Sequence, residues 1–167
     1  MKKITKADLE KFSLTMQIRA YRTVEKGRDP LIPSQGARRA TWTNTAGLYC
    51  SLDEQTPRFE TKDYLTNPVT YMIRFENSIS IFDAEAYCET SGISETTFYA
   101  GMTSGTLGIH QLRGTNIQGA IWPSQKNSAG KSLVLYTENI PNYPQGFSTH
   151  KICPYFNALT FRGTSPP

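Results

Sequence analysis

The chain has 167 residues, of which 38% are hydrophobic and 19% charged, a composition typical of a folded globular protein and not of a disordered or coiled-coil chain. This is the length of one ordinary domain, so we expect a single domain over residues 1–167. The 18 basic and 14 acidic residues give a formal net charge of +4 but are interspersed, without the Lys/Arg block that would favour nucleic-acid binding.

The sequence carries no apolar run near the roughly 20 residues that a membrane span requires. Its first residues, Met1–Asp8, run into charged side chains where a signal peptide has an apolar stretch. We therefore expect a cytoplasmic protein that does not contact membranes. The cysteines are odd in number and far apart, which predicts reduced thiols: Cys50, Cys88 and Cys153.

The first half of the chain predicts short, mixed elements. Thr5–Asp8 resembles a helix start, and Ile18–Val24 alternates as a strand does. Residues 25–47 form a loop longer than about 12 residues, a length often associated with function. Gly47–Ser51 reads as a second strand.

Thr56 and Pro57 predict the start of a helix, with Thr56 as the capping residue and Pro57 at the first helical position. Glu60 then falls in the first or second turn of that helix.

In the second half, the residues from Tyr71 to Ile81 alternate as a hairpin or a bent long strand does, and Asp83 predicts the cap of a short helix. Ala120–Trp122 and Ser132–Tyr136 read as strands around a loop. Strands outnumber helices, which indicates an α+β fold.

Common site motifs are absent. The two histidines, His110 and His150, are isolated, so no metal site is expected. No phosphate-binding glycine loop or nucleophile elbow occurs either. What remains is an arginine on a strand, a tyrosine on a strand, a glutamate early in a helix, and a Pro-Ser turn.

Three segments resemble the RES domain family, in the order in which that family has them. Tyr21–Val24 looks like its opening strand, and Tyr49–Glu60 like its Tyr-to-Glu segment. Gly119–Tyr136 is similar to its later strand, Pro-Ser turn and returning strand. Between the first two, the family has a Gly-Arg-Trp-Asn motif, which Gly36–Asn44 carries in a stretched arrangement, so that either Arg38 or Arg39 takes the place of its arginine.

The resemblance implies a single α+β domain with an ADP-ribosyltransferase-like split β-sheet core and short flanking helices. RES proteins are toxins of toxin–antitoxin pairs or domains of delivered effectors, and known members degrade NAD⁺. It therefore implies a toxin that cleaves the nicotinamide–ribose bond by hydrolysis or phosphorolysis, with NAD⁺ as substrate and no cofactor. The implied partner is an antitoxin or immunity protein that covers the cleft. The implied place of action is the cytoplasm of the producing cell or of a target cell.

The site residues that the resemblance implies are chemically suited to NAD⁺. Glu60 can stabilise the ribosyl cation or orient the attacking group, although an acid early in a helix also stabilises that helix by roughly 0.3–1 kcal/mol. Arg22, with Arg38 or Arg39, suits the pyrophosphate. Tyr49 can stack on nicotinamide or bond the ribose, or serve as a core residue. Ser124 can bond the substrate through its hydroxyl, or be an ordinary turn serine.

Two alternatives remain at this stage. The same cleft can transfer ADP-ribose to a protein or nucleic acid. Alternatively, the protein is a non-catalytic module that binds nucleic acid. Its loop around Arg38 and Arg39 would then contact the phosphates, and binding would depend on salt.

Overall fold

The computed structural model describes residues 4–34, 46–94 and 116–152, together with Thr96, Thr97 and Ala100. Within these residues the fold is mixed, with few short helices and six strands in one sheet, consistent with the expected α+β class. The helices are α1 Lys6–Lys11, α2 Thr56–Thr61 and α3 Ala84–Ser91. The strands are β1 Ser13–Glu25, β2 Gly47–Ser51, β3 Pro68–Asp83, β4 Gly119–Pro123, β5 Lys131–Tyr136 and β6 Phe147–Lys151.

The predicted strands are confirmed, and β3 is the bent long strand rather than a hairpin. It pairs with β1 along most of its length, with a register shift between Gln17 and Arg19 of β1. Such an irregularity bends a strand pair. The bend lets the first half of β3 pair with β6 and its second half with β4. Strand β6 was not predicted.

The strand pairings close into a ring in the order β1, β2, β5, β4, β3 and back to β1. Side chains alternate between its two faces. Leu133 and Leu135 of β5 lie in the cluster shared by all five ring strands, whereas Val134 and Tyr136 pack in a second cluster with α1 and α3. The ring is weakest between β1 and β2, which share one residue pair, Tyr21 opposite Ser51.

Two helix starts are confirmed with their caps. At α1 the Thr5 hydroxyl accepts from the Asp8 amide, and the Asp8 carboxylate accepts from the Thr5 amide, a reciprocal capping box. At α3 the Asp83 carboxylate accepts from the Ala86 amide at 3.1 Å. The helix ends at Gly92, whose positive φ of 64° suits the left-handed end of a helix.

The predicted capping role of Thr56 is wrong. Thr56 is the first helical residue of α2, and the residue before it, Gln55, caps without a side-chain hydrogen bond. Asp53 caps the helix instead, because its carboxylate accepts from the amides of Gln55 and Thr56 at 3.0 and 2.8 Å. A carboxylate with two acceptor oxygens outcompetes a hydroxyl that itself donates to Asp53 at 2.7 Å. Pro57 lies in the first turn, but it is the second helical residue, one position later than predicted.

The two cysteines of the described chain, Cys50 and Cys88, are buried free thiols, as predicted, whereas Cys153 lies outside the described residues. None of the helices described is both long enough and apolar enough to span a membrane.

Candidate active site

A cavity of about 380 Å³ opens where β1 and β2 separate beyond their one residue pair. Helix α2 and the connection from β4 to β5 complete its walls. Its volume lies in the range of small-molecule sites, roughly 300–1,000 Å³. Four residues from the sequence prediction meet here: Arg22, Tyr49 and Glu60 line the cavity, and Ser124 contacts Glu60.

Glu60 lies near the end of α2, and two serine hydroxyls hold its carboxylate. Ser124 donates to Glu60 Oε1 at 3.0 Å, and Ser132 donates to the same oxygen at 2.7 Å. Both serines are buried, so each hydroxyl needs a partner within the protein. The carboxylate is thereby fixed at the cavity wall, with both described hydrogen bonds on one of its oxygens.

Ser124 follows Pro123 at the end of β4 and is oriented by its own turn. Its amide donates to the carbonyl of Gly130 at 2.9 Å, and its hydroxyl oxygen accepts from the amide of Lys126 at 3.3 Å. The Ser124 hydroxyl thus accepts one hydrogen bond from the turn and donates another to Glu60. This hydroxyl therefore has a carboxylate partner, whereas contact with substrate was expected.

Arg22 lies on β1, in register with the inward-facing Ile18 and Ala20, and is only 6% exposed. Its Nη1 donates to the carbonyls of Pro30 and Ile32 at 2.7 and 2.9 Å. Burial lowers the pKa of Arg22 from its ordinary value. A guanidinium is not deprotonated in proteins, so Arg22 remains a cation. The residue places a buried cation in the wall and ties the following loop to the site.

The aromatic wall comes from β2 and β4. Tyr49 is partly buried and packs against the cluster beneath α1 and α3 while lining the cavity. Trp122 of β4 belongs to the same cluster, also lines the cavity and is 5% exposed. Tyr49 and Trp122 therefore give the cavity rigid aromatic surface, which is suited to a planar ring.

Cys50 also lines the cavity, beside Arg22. Burial raises the pKa of its thiol to about 12, although the nearby guanidinium lowers it and Glu60 raises it. The thiol is protonated at neutral pH, and a thiol in that state is a poor nucleophile. The arrangement does not support cysteine catalysis.

Arg38 and Arg39 lie outside the described residues, so their proposed roles stay predictions. Over the described ranges, no three His, Cys, Asp or Glu side chains are grouped closely enough to hold a metal ion.

Ser132, Arg28 and Lys126 are polar or charged residues at the cavity that were not predicted from the sequence. Ser132 was read only as part of a strand, although a serine before an apolar run such as Leu133–Tyr136 is a weak signal of a polar environment. Arg28 and Lys126 are exposed cations that line the cavity from separate loops. All three come together through the pairing of distant strands, which leaves no local pattern in the sequence.

Comparison with known proteins finds no matching family model and no matching curated protein. Among solved structures, a chain in the crystal structure of the M. tuberculosis MbcT-MbcA toxin-antitoxin complex has a similar fold, with a TM-score of 0.65 at 16% sequence identity. The match covers 89% of this chain and 93% of that chain. At this identity the similarity concerns the fold.

Proposed function

We propose that the protein is a toxin enzyme of the RES type that degrades NAD⁺ by cleaving its nicotinamide–ribose bond. The observation that carries the proposal is the Glu60 carboxylate, which Ser124 and Ser132 hold at the wall of a cavity of about 380 Å³ beside the buried cation of Arg22. The fold similarity to a chain of a toxin-antitoxin complex supports the toxin role. The split between β1 and β2 is in keeping with an ADP-ribosyltransferase-like core.

The chemistry needs only one carboxylate. As the C–N bond to ribose breaks, its electron pair leaves with nicotinamide, which departs as a neutral ring without a proton donor. The ribose becomes a cation-like centre that a nearby carboxylate stabilises. The oxygen of water or inorganic phosphate then bonds to that carbon, and Glu60 can orient water and accept its proton.

The phosphates of NAD⁺ match the cationic side of the cavity. Arg22 is buried in the wall, and Arg28 and Lys126 stand exposed at the same cavity. Guanidinium groups bind phosphate oxygens in bidentate fashion, and an ammonium adds a point charge. We assign Arg28 and Lys126 to the pyrophosphate, together with Arg22 and with Arg38 or Arg39.

Nicotinamide would stack in the aromatic part of the cavity, on Tyr49 and Trp122. A toxin that consumes NAD⁺ must be restrained in the cell that makes it. We therefore propose an antitoxin or immunity protein as partner, bound over the cavity mouth. The toxin-antitoxin assembly of the structural neighbour supports such a partner.

The test incubates NAD⁺ with purified wild-type protein and with Glu60→Gln, and follows nicotinamide and the ribosyl product by chromatography, with and without phosphate. We expect the variant to lose at least about 100-fold in rate, because it loses the charge that stabilises the cation. Glu54→Gln is the matched control, since Glu54 precedes the same helix and pairs with Arg58 outside the cavity.

Each product identifies the acceptor. Free ADP-ribose indicates hydrolysis, and its phosphorylated form indicates phosphorolysis. Nicotinamide release without either product, with a mass increase on a macromolecule, indicates ADP-ribosyl transfer. No nicotinamide release by the wild-type protein contradicts the proposal.

A further inference from the structure

Helix α2 is attached to the connection between β4 and β5 at both of its ends. Near its last turn, Glu60 receives hydrogen bonds from Ser124, directly after β4, and from Ser132, on β5. In its first turn, the Thr56 hydroxyl accepts from the Asn127 side chain at 2.8 Å and donates to Asp53. The connection thus contacts the helix at its first residue, Thr56, and at Glu60, its penultimate residue.

The connection and the start of α2 are in close contact at Gly130. A Cβ atom on Gly130 would overlap the Thr56 hydroxyl and lie 2.6 Å from Asp53 Oδ2. The backbone of the connection therefore passes directly over the first residue of α2, and no other residue type fits there without a shift. This close contact opposes movement of the start of α2 toward the connection.

The two serines differ in how they reach Glu60. Ser124 lies in the turn, and its hydroxyl also accepts from the Lys126 amide. Ser132 lies on β5, which is paired on both sides, to β2 and to β4, and its hydroxyl makes the shorter bond to Glu60. The more rigid element thus supplies the closer donor.

We propose that Ser132 is a positioning residue: its hydroxyl holds Oε1 of Glu60 so that the other carboxylate oxygen faces the reacting ribose. The inference rests on the proposed function, and names a residue that acts through Glu60 rather than on substrate. Misplacement of a catalytic group by about 1 Å can cost roughly 100-fold in rate, which is the size of effect that such a residue controls.

The chain offers a matched control in Ser51. It lies directly opposite Ser132 in the β2–β5 register and is fully buried. Within the part of the chain that the structure describes, its hydroxyl has no hydrogen-bond partner. Ser51→Ala therefore removes the same atom from the same sheet without touching Glu60.

The kinetic experiment compares Ser132→Ala and Ser51→Ala with the wild-type protein in nicotinamide release. We expect Ser132→Ala to lower kcat roughly ten- to hundredfold while KM changes less than about twofold, and Ser51→Ala to retain wild-type kcat. In a Glu60→Ala background, Ser132→Ala should lower the residual rate by less than about twofold, because its target is gone. Wild-type kcat in Ser132→Ala, or an equal loss in both backgrounds, overturns the inference.

A second measurement needs no substrate and separates this inference from the proposed function. The Tm values of wild type, Ser132→Ala, Glu60→Ala and the double variant form a cycle. Non-additive changes in Tm support an interaction between Ser132 and Glu60, and additive changes overturn the inference. Absence of nicotinamide release by the wild-type protein contradicts the proposed function alone.

Discussion

Gly130 is a residue at which a single added carbon would overlap the start of the helix that bears Glu60. Its φ is not in the left-handed region, so the cost of Gly130→Ala is steric and comes from Thr56 and Asp53. We expect a loss of about 1–3 kcal/mol in unfolding free energy, the usual range for overpacking, and a fall in kcat as α2 shifts. Denaturant unfolding and nicotinamide release measure the two effects.

Gly92→Ala is the control for this prediction. Gly92 has open space around it but a positive φ of 64°, so alanine there is strained without contacting the site. Both variants should be less stable, and only Gly130→Ala should lower kcat. A Gly130→Ala protein with wild-type kcat would show that the contact with α2 does not govern the site.

Arg28 and Lys126 carry a prediction about substrate affinity. Reversing either charge, by Arg28→Glu or Lys126→Glu, should raise KM for NAD⁺ roughly tenfold, or about 1.4 kcal/mol, with kcat nearly kept, because the pyrophosphate is remote from the broken bond. The control is Lys62→Glu, which reverses an exposed charge beyond α2 that does not line the cavity. Equal KM values in all variants would remove both residues from the phosphate site.

At the scale of elements, α2 is a helix of six residues, too short to be stable in isolation. Its order comes from what surrounds it: Asp53 binds two amides and a hydroxyl at its start, and the Thr61 hydroxyl donates to the Pro57 carbonyl at 2.7 Å at its end. The helix that bears Glu60 therefore depends on its cap and its packing more than on helix propensity.

Asp53→Ala tests that dependence. We expect a loss of about 1–2 kcal/mol in unfolding free energy, the upper range for a helix cap, because buried Thr56 also loses its acceptor. Asp63→Ala is the control, since Asp63 is exposed after the helix ends. Equal stability of the two variants, in urea unfolding followed by circular dichroism, would contradict the capping role.

For the whole molecule, both faces of the sheet bury groups that stay protonated: Cys50 lies in the cluster shared by the ring strands, and Tyr136 in the cluster with α1 and α3. Burial raises the pKa of Cys50 to about 12 and also raises that of Tyr136. The unfolded chain releases the Cys50 proton above about pH 9, and the folded chain retains it. The contribution of the buried thiol to the unfolding free energy is therefore fully present below pH 9. As the pH rises toward 12, the unfolding free energy falls by up to about 1.4 kcal/mol per pH unit for each such group.

Unfolding free energy measured in urea from pH 8 to 10.5 checks this prediction. Cys50→Ala should be less stable at pH 8, because it leaves a small cavity, but its stability should fall less steeply with pH. An unchanged slope would mean that the buried thiol does not contribute to the alkaline loss.

The sequence alone determined the elements whose signals are local. The capping box at Thr5 and the cap at Asp83 are set by residues three apart, and the alternation in β1, β3 and β5 by the two faces of a strand. Ser124 after Pro123 was likewise evident, and Glu60 was correctly placed on a helix, although it is the penultimate residue of that helix. The order of these residues along the chain carried the resemblance.

Only the tertiary structure decided how these parts meet. Asp53 caps α2 in place of Thr56, because its two carboxylate oxygens are better acceptors than one hydroxyl. Strand β6 pairs with β3, whose residues are far away in sequence. Ser132 reaches Glu60 across 72 positions of the chain. Strand register and the close approach of Gly130 to α2 create that contact, and both depend on distant backbone segments that no local sequence pattern records.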